Sequence, residues 1–265
     1  VNDHDAPLAE TPPLLIGRTA IVTGAGQGVG EGIARALAAA GANVVIAARR
    51  LENGEPAAAA IRDRGQRAIC VQCDVGVRAD VERTIAATVA EFGGIDIVVH
   101  NAVSGVGPVA EVQDGDDDVW AGLLATALRA SYLFAHLTLP HLREREGSSF
   151  LILTSPAGVE GSADRATYGA VKAGQRGFAK SLAREWGPLG IRVNCIAPVA
   201  VTPAMERAYV ANPALEARLN ARTPLGRIGA PEPDIGGVAV FLSSHLAQFV
   251  TGQTIVVDGG GFLGL

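Results

Sequence analysis

The chain has 265 residues, enough for a substantial core and within the span of one α/β domain. A net charge of -5, no basic run and only 5% aromatic residues argue against a nucleic-acid partner, whether read by charge or by stacking. No stretch is long and apolar enough to span a bilayer, so no membrane partner is expected. The three cysteines, Cys70, Cys73 and Cys195, make no disulfide framework and suit a reducing cytoplasm.

Residues 1–13 are polar and proline-bearing and lack the basic start and apolar run of a signal peptide. They are expected to form a flexible N-terminal arm on a single domain spanning 14–265. Thr19 to Thr23 reads as a first strand, followed by a glycine loop and a helix from about Val29 to Ala40. Asn43 to Ala47 is a second strand with a helix over Leu51 to Arg64, and Arg67 to Cys73 a third with a helix over Val77 to Phe92. Ile95 to Val99 is a continuous apolar run, as expected of a strand covered on both faces. Cys70 and Cys73 should point to opposite faces of their strand, as small buried hydrophobes and not as a zinc half-site.

A long helix is expected from about Asp116 to His141, with Asp116, Asp117 and Asp118 capping its start and not holding a metal. Phe150 to Thr154 and Ile191 to Ile196 are further strands, separated by a helix over Ala166 to Trp186. The stretch from Pro198 to Pro233 is the least regular. A helix around Ile235 to His245 and a strand at Thr254 to Val257 close the chain. This alternation predicts an α/β, Rossmann-type, doubly wound fold: a mostly parallel seven-stranded sheet with helices on both faces. In such sheets ligands sit at the carboxyl ends of the strands.

The segment Thr23 to Gly30 joins the first strand to the first helix with the spacing T-G-x-x-x-G-x-G. Glycines let the backbone approach a diphosphate, and the helix N-terminus supplies free N–H groups. No Gly-Lys-Ser/Thr follows, so the segment is not a P-loop. At the end of the second strand an acidic residue would favour NAD and an arginine a 2′-phosphate. The chain has Ala47-Ala48-Arg49-Arg50 there, which points to NADP, with NAD possible; the competing reading is a solvated helix start. Asp74 is placed either to bond an adenine or to cap the next turn.

Tyr168 and Lys172 share one helix face at i, i+4. A cation near a phenol lowers its pKa and suits it to acid/base work. Ser155, thirteen residues before Tyr168 and just past the fifth strand, can hydrogen-bond a substrate oxygen. Together Ser155, Tyr168 and Lys172 make a workable catalytic set for carbonyl reduction.

The joint order of Thr23 to Gly30, Asp74, Asn101-Ala102, Ser155, Tyr168 with Lys172, Asn194 with Pro198 and Thr202, and the tail Thr251 to Gly260 resembles the short-chain dehydrogenase/reductase family from about Leu14 onward. The resemblance implies that Tyr168 donates or accepts the proton, Lys172 holds the nicotinamide ribose and depresses the Tyr168 pKa, and Ser155 orients the substrate. It implies a cofactor site of Gly24, Gly26, Gln27, Gly28, Val29, Gly30, Arg49, Arg50, Asp74, Val75, Asn101, Ala102, Tyr168, Lys172, Pro198, Val201 and Thr202, with no metal. It further implies a substrate lid at about 202–223. The assembly would be a homodimer or homotetramer, using the long helices that contain Ala127 and Tyr168.

Four positions in three segments depart from the family pattern. Asn-Asn-Ala-Gly is here His100-Asn101-Ala102-Val103, Pro-Gly is Pro198-Val199, and the family's catalytic asparagine, seven residues after Trp120, is Ala127. In the family that asparagine helps hold a water linking the lysine to solvent. The expectation is a slower or rerouted relay through the Ala127 backbone carbonyl, improved by restoring asparagine. His100 reads as a packed or backbone-bonded residue.

The function expected is NAD(P)-dependent interconversion of a carbonyl and an alcohol by hydride transfer. Specificity would lie in Val103 to Gln113, Pro156 to Thr167 and Met205 to Thr223, which suit a hydrophobic or mixed ligand. The alternative is a dinucleotide-binding regulatory protein with weak or no turnover. A methyltransferase on a similar sheet leaves Tyr168 and Lys172 unexplained.

Overall fold

The computed structural model describes residues 13–103, 111–163 and 165–262. Most of the expected arm, the middle of the 103–113 specificity segment and the last three residues therefore lie outside the described residues.

Seven strands, β1 (Thr19–Thr23), β2 (Asn43–Ala48), β3 (Ala68–Gln72), β4 (Ile97–His100), β5 (Ser149–Leu153), β6 (Arg192–Pro198) and β7 (Thr254–Val257), form one sheet in the order β3–β2–β1–β4–β5–β6–β7. Every pairing is parallel. The helices along the first half are α1 (Gly28–Ala39), α2 (Leu51–Arg62), α3 (Arg78–Phe92), α4 (Asp117–Leu123) and α5 (Ala130–Leu142). The second half adds α6 (Ala157–Glu160), α7 (Ala166–Trp186), α8 (Pro203–Ala211), α9 (Pro213–Arg222) and α10 (Gly237–Ser243).

The period of two along each strand divides the core. Ala20, Val22, Val44, Ile46, Ile97, Val99, Leu151 and Leu153 pack on one face with Ile33 and Leu37 of α1, Ile61 of α2 and Leu242 of α10. The alternate residues Ile21, Val45, Val98, Phe150 and Ile152 pack on the other with Val81 of α3, Phe134 of α5 and Trp186 of α7. Both faces are covered, which is why these strands read as unbroken apolar runs. Cys70 belongs to the first cluster and Cys73 to the second, and all three cysteines are free.

The chain runs β1 to β2 to β3 in one direction, then returns to place β4 on the other side of β1. Loops leaving β1 and β4 therefore diverge and open a crevice at their carboxyl ends.

Two expectations change. The long helix is interrupted: a π-helical turn over Leu124–Arg129 separates α4 from α5. Asp116 caps α4, its carboxylate accepting from the N–H groups of Asp118 at 2.8 Å and Val119 at 3.4 Å. The stretch expected to be irregular holds α8 and α9, each with proline in its first turn, where a missing N–H costs nothing. Thr202 caps α8 through Met205 N at 3.3 Å. Among the described residues no helix is long and apolar enough to cross a membrane, and no cluster of His, Cys, Asp and Glu could hold a metal.

Candidate active site

The crevice between β1 and β4 holds a cavity of about 500 Å³. One end is the glycine loop. Gly24 has φ +64, and a Cβ there would meet Ala102 Cα at 2.9 Å. A Cβ on Gly30 would meet Asn101 Nδ2 at 2.5 Å and Gly24 O at 2.6 Å. The loop is thus pressed against the end of β4, and only glycine permits that. Asn101 seals the junction, its side-chain amide donating to Thr23 O at 3.0 Å and Gly24 O at 3.2 Å. Gln27, at the N-cap of α1, offers no side-chain cap, so the first N–H groups of that helix face the cavity beside Gly28, Val29 and Gly30. A bare helix N-terminus behind a glycine turn fits a diphosphate.

Arg49 and Arg50 line the same cavity at the end of β2 and are exposed. Arg50 also lies 3.4 Å from Glu52, an exposed pair of little energetic weight. Asp74 lines the cavity and also caps the next turn, its carboxylate accepting from Gly76 N at 2.9 Å. Val75, Ala102, Pro198 and Thr202 lie on the wall; Val201 does not, its N–H being paired with Gly229 O at 2.9 Å.

Tyr168 and Lys172 line the other end. Ser155 is not among the residues lining that end; its hydroxyl accepts from Ala157 N at 3.2 Å. Thr154 fixes α7 against β5, its hydroxyl donating to Lys172 O at 2.9 Å. Burial raises the Tyr168 pKa, and the groups pulling it down are Ser155 and Arg165. Lys172 Nζ sits 5.7 Å from the Tyr168 ring centroid and donates to Leu153 O at 2.6 Å and Gln175 Oε1 at 3.0 Å. A phenol so placed is protonated at neutral pH. Burial pushes the Lys172 pKa down to about 8.

His100 is buried and backbone-bonded as expected, with Nε2 3.1 Å from Ala127 O and Nδ1 3.1 Å from the Thr23 hydroxyl. Asn194 of β6 is structural, its amide donating to Val250 O at 2.9 Å and its Oδ1 accepting from Gln253 N at 3.0 Å. The sequence reading missed Asn53 and Thr126, which also line the cavity, as do Pro203 and Arg207 of the segment read as the lid. Asn53 sits in the first turn of α2, just after the two arginines. Arg207 is brought in by α8, which proline concealed.

A diphosphate cradle at the switch point of a parallel sheet, facing a tyrosine and a lysine across one cavity, defines a Rossmann-type oxidoreductase. A family model described as enoyl-(acyl carrier protein) reductase matches residues 24–261. Dehydrogenase/reductase SDR family member 4 of Homo sapiens is 35% identical over 247 residues, covering 93% of this chain and 88% of the human protein. The 3-oxoacyl-[acyl-carrier-protein] reductase FabG of Chlamydia muridarum is 36% identical, covering 93% of this chain and 98% of its own. L-rhamnose 1-dehydrogenase (NAD(P)(+)) of Azotobacter vinelandii is 33% identical, covering 95% and 99%. A crystal structure from Sinorhizobium meliloti described as a short-chain alcohol dehydrogenase superposes with a TM-score of 0.86 at 36% identity, covering 95% of this chain and 98% of that one. The chain belongs to the short-chain dehydrogenase/reductase family and is an enzyme of that family. Its members generally use NAD(P), act on small molecules and commonly oligomerise.

Proposed function

We propose that the protein is an NADP-preferring reductase or dehydrogenase that interconverts a small carbonyl compound and its alcohol. The observation that carries this reading is one cavity with two ends: Arg49, Arg50 and the glycine loop at one, Tyr168 and Lys172 at the other. The cofactor, held along that cavity, would supply the hydride as NADPH or take it up as NADP+ at the Tyr168 end. The chain's own residues do the rest. The N–H groups at the start of α1 hold the diphosphate. The arginines bind a 2′-phosphate where an acidic residue would have bonded ribose hydroxyls. Asp74, Asn101 and Ala102 wall in the adenosine half and the ribose.

Tyr168 gives its proton to the substrate oxygen in reduction and takes it back in oxidation. Ser155 aligns that oxygen. Lys172 supplies a fixed positive charge beside the tyrosine. Pro198 and Thr202 close the cavity beneath the lid of α8 and α9, and Arg207 presents a cation from the lid. A reducing compartment such as the cytoplasm suits the free thiols.

Fluorescence titration of the purified protein with NADPH and NADH tests the nucleotide preference. NADPH is expected to bind at least about ten-fold more tightly, and Arg49→Ala with Arg50→Ala to erase the difference. In a carbonyl screen Tyr168→Phe should lose at least about a hundred-fold in turnover with nucleotide binding kept. Tighter NADH binding would reverse the preference. Binding without turnover on any carbonyl would favour a regulatory dinucleotide-binding role.

A further inference from the structure

Lys172 is only 2% exposed, and a buried ammonium needs an acceptor for each N–H turned away from water. Leu153 O takes one and Gln175 Oε1 another. Gln175 lies on α7, one turn after Lys172, and is fully buried. Its amide nitrogen donates to Ser131 Oγ at 3.0 Å and to Ala127 O at 3.2 Å. The Ala127 carbonyl also accepts from the Ser131 hydroxyl at 2.7 Å and lies 3.1 Å from His100 Nε2.

The proton directions follow from counting donors. The Thr23 hydroxyl accepts from the N–H groups of Asn101 and Ala102, each at 3.0 Å, so its single proton goes to His100 Nδ1. His100 Nε2 is then the N–H that reaches Ala127 O. With these three donors and a backbone N–H from the end of the π-helical turn on it, that carbonyl has no lone pair left for a water.

The titratable groups facing Lys172 offer no counter-charge. His100 on β4 is neutral, its pKa pushed down to about 4 by burial and by the lysine itself. Cys195 on β6 is a thiol, pushed up to about 12 by burial. Tyr168, on the lysine's own helix, is protonated at neutral pH. β5 and the π-helical turn present the carbonyls of Leu153 and Ala127. The ammonium is therefore held by dipoles.

We propose that Gln175 is the positioning residue of Lys172, its side-chain amide standing where the family's asparagine and water would act. The inference rests on the carbonyl-reductase reading of the Tyr168 end. It reverses the expectation for Ala127, whose missing side chain is compensated from the opposite helix by Gln175, held the right way round by Ser131 and Ala127 O. A side-chain amide anchors an ammonium well and passes a proton poorly, so Lys172 exchanges protons through the cavity.

The chain contains two lysines, Lys172 and Lys180, and Lys180 is exposed. Full-length protein labelled with ¹³Cε-lysine therefore gives two NMR signals, which Lys180→Arg assigns. Without nucleotide, Lys172 is expected to titrate near about 8. Gln175→Met removes the acceptor at similar volume and should lower that midpoint by about one pH unit. Gln175→Glu supplies a charge and should raise it, which keeps the proposal testable if the methionine variant folds poorly. A Lys172 midpoint that moves in neither variant overturns the proposal. In turnover, Gln175→Met should lose about ten-fold, and Ala127→Asn should help only in that background. A gain from Ala127→Asn alone would count against Gln175. A protein inert toward every carbonyl would remove the functional reading and leave the lysine titration intact, so the two failures are distinguishable.

Discussion

His100 at the end of β4 is wrapped by Thr23, Ala127 and the ring of Phe134, 5.8 Å away. Burial holds its pKa at about 4 against an ordinary 6.5. The folded protein therefore refuses a proton that the unfolded chain accepts once the pH falls below 6.5. Stability tied to this group is complete above that value and is lost as pH drops through 4, by roughly 3 kcal/mol in all. Denaturant unfolding between pH 7 and 4 should show this slope, and His100→Asn should flatten it. An unaltered slope would place the acid sensitivity elsewhere. Asp234, held down to about 2 chiefly by its hydrogen bond to Arg227, acts only at lower pH, so the windows separate. The sequence placed His100 correctly as a bonded residue, yet could not show what it bonds, because Ala127 is distant along the chain.

The helices differ in how openly the sequence announces them. α1 and α7 carry a glycine turn and an i, i+4 pair at their working ends, and both signals are local. α8 and α9 were hidden because proline reads as a breaker, while at a helix start it is a pre-shaped first residue. α8 depends on Thr202 for its cap. Thr202→Val keeps the shape and removes the acceptor, at a cost of about 1 kcal/mol. Hydrogen exchange in residues 203–211 should then quicken about five-fold, with the melting temperature of the whole protein little changed. A uniform rise in exchange across the sheet would mean that the lid does not move independently. The π-helical turn over Leu124–Arg129 had no sequence signal; it places Ala127 O where α7 and β4 both reach it.

Taken entire, the protomer leaves large apolar groups uncovered. Phe249 is fully exposed, and Leu246 and Phe241 near it are exposed too. Tyr132 stands out from α5 and stacks on His136 with ring centroids 5.6 Å apart. Exposed aromatic surface of this kind is characteristic of contact faces. Light scattering is expected to return two or four times the chain mass, and Tyr132→Glu or Phe249→Asp to reduce it; a monomer at every concentration would refute the expectation. Ala127 itself is wholly buried inside the protomer, so any pairing of the long helices uses their other faces.

The strands, the glycine loop, the missing acid before Arg49 and the Tyr168–Lys172 pair were legible because each is a short-range pattern. Hydrophobic period, glycine spacing and helix repeat act between neighbours along the chain, and the sequence by itself determined them. Which groups surround Lys172 was decided only by the tertiary structure. Gln175, Ala127, Ser131 and His100 come from four elements, α7, the π-helical turn, α5 and β4, that meet only when the turn packs against α7 over the sheet. Burial, which moves the pKa of Tyr168 up and those of Lys172 and His100 down, comes from the same packing. No residue carries its own desolvation; it is imposed by neighbours that the fold brings from elsewhere in the chain.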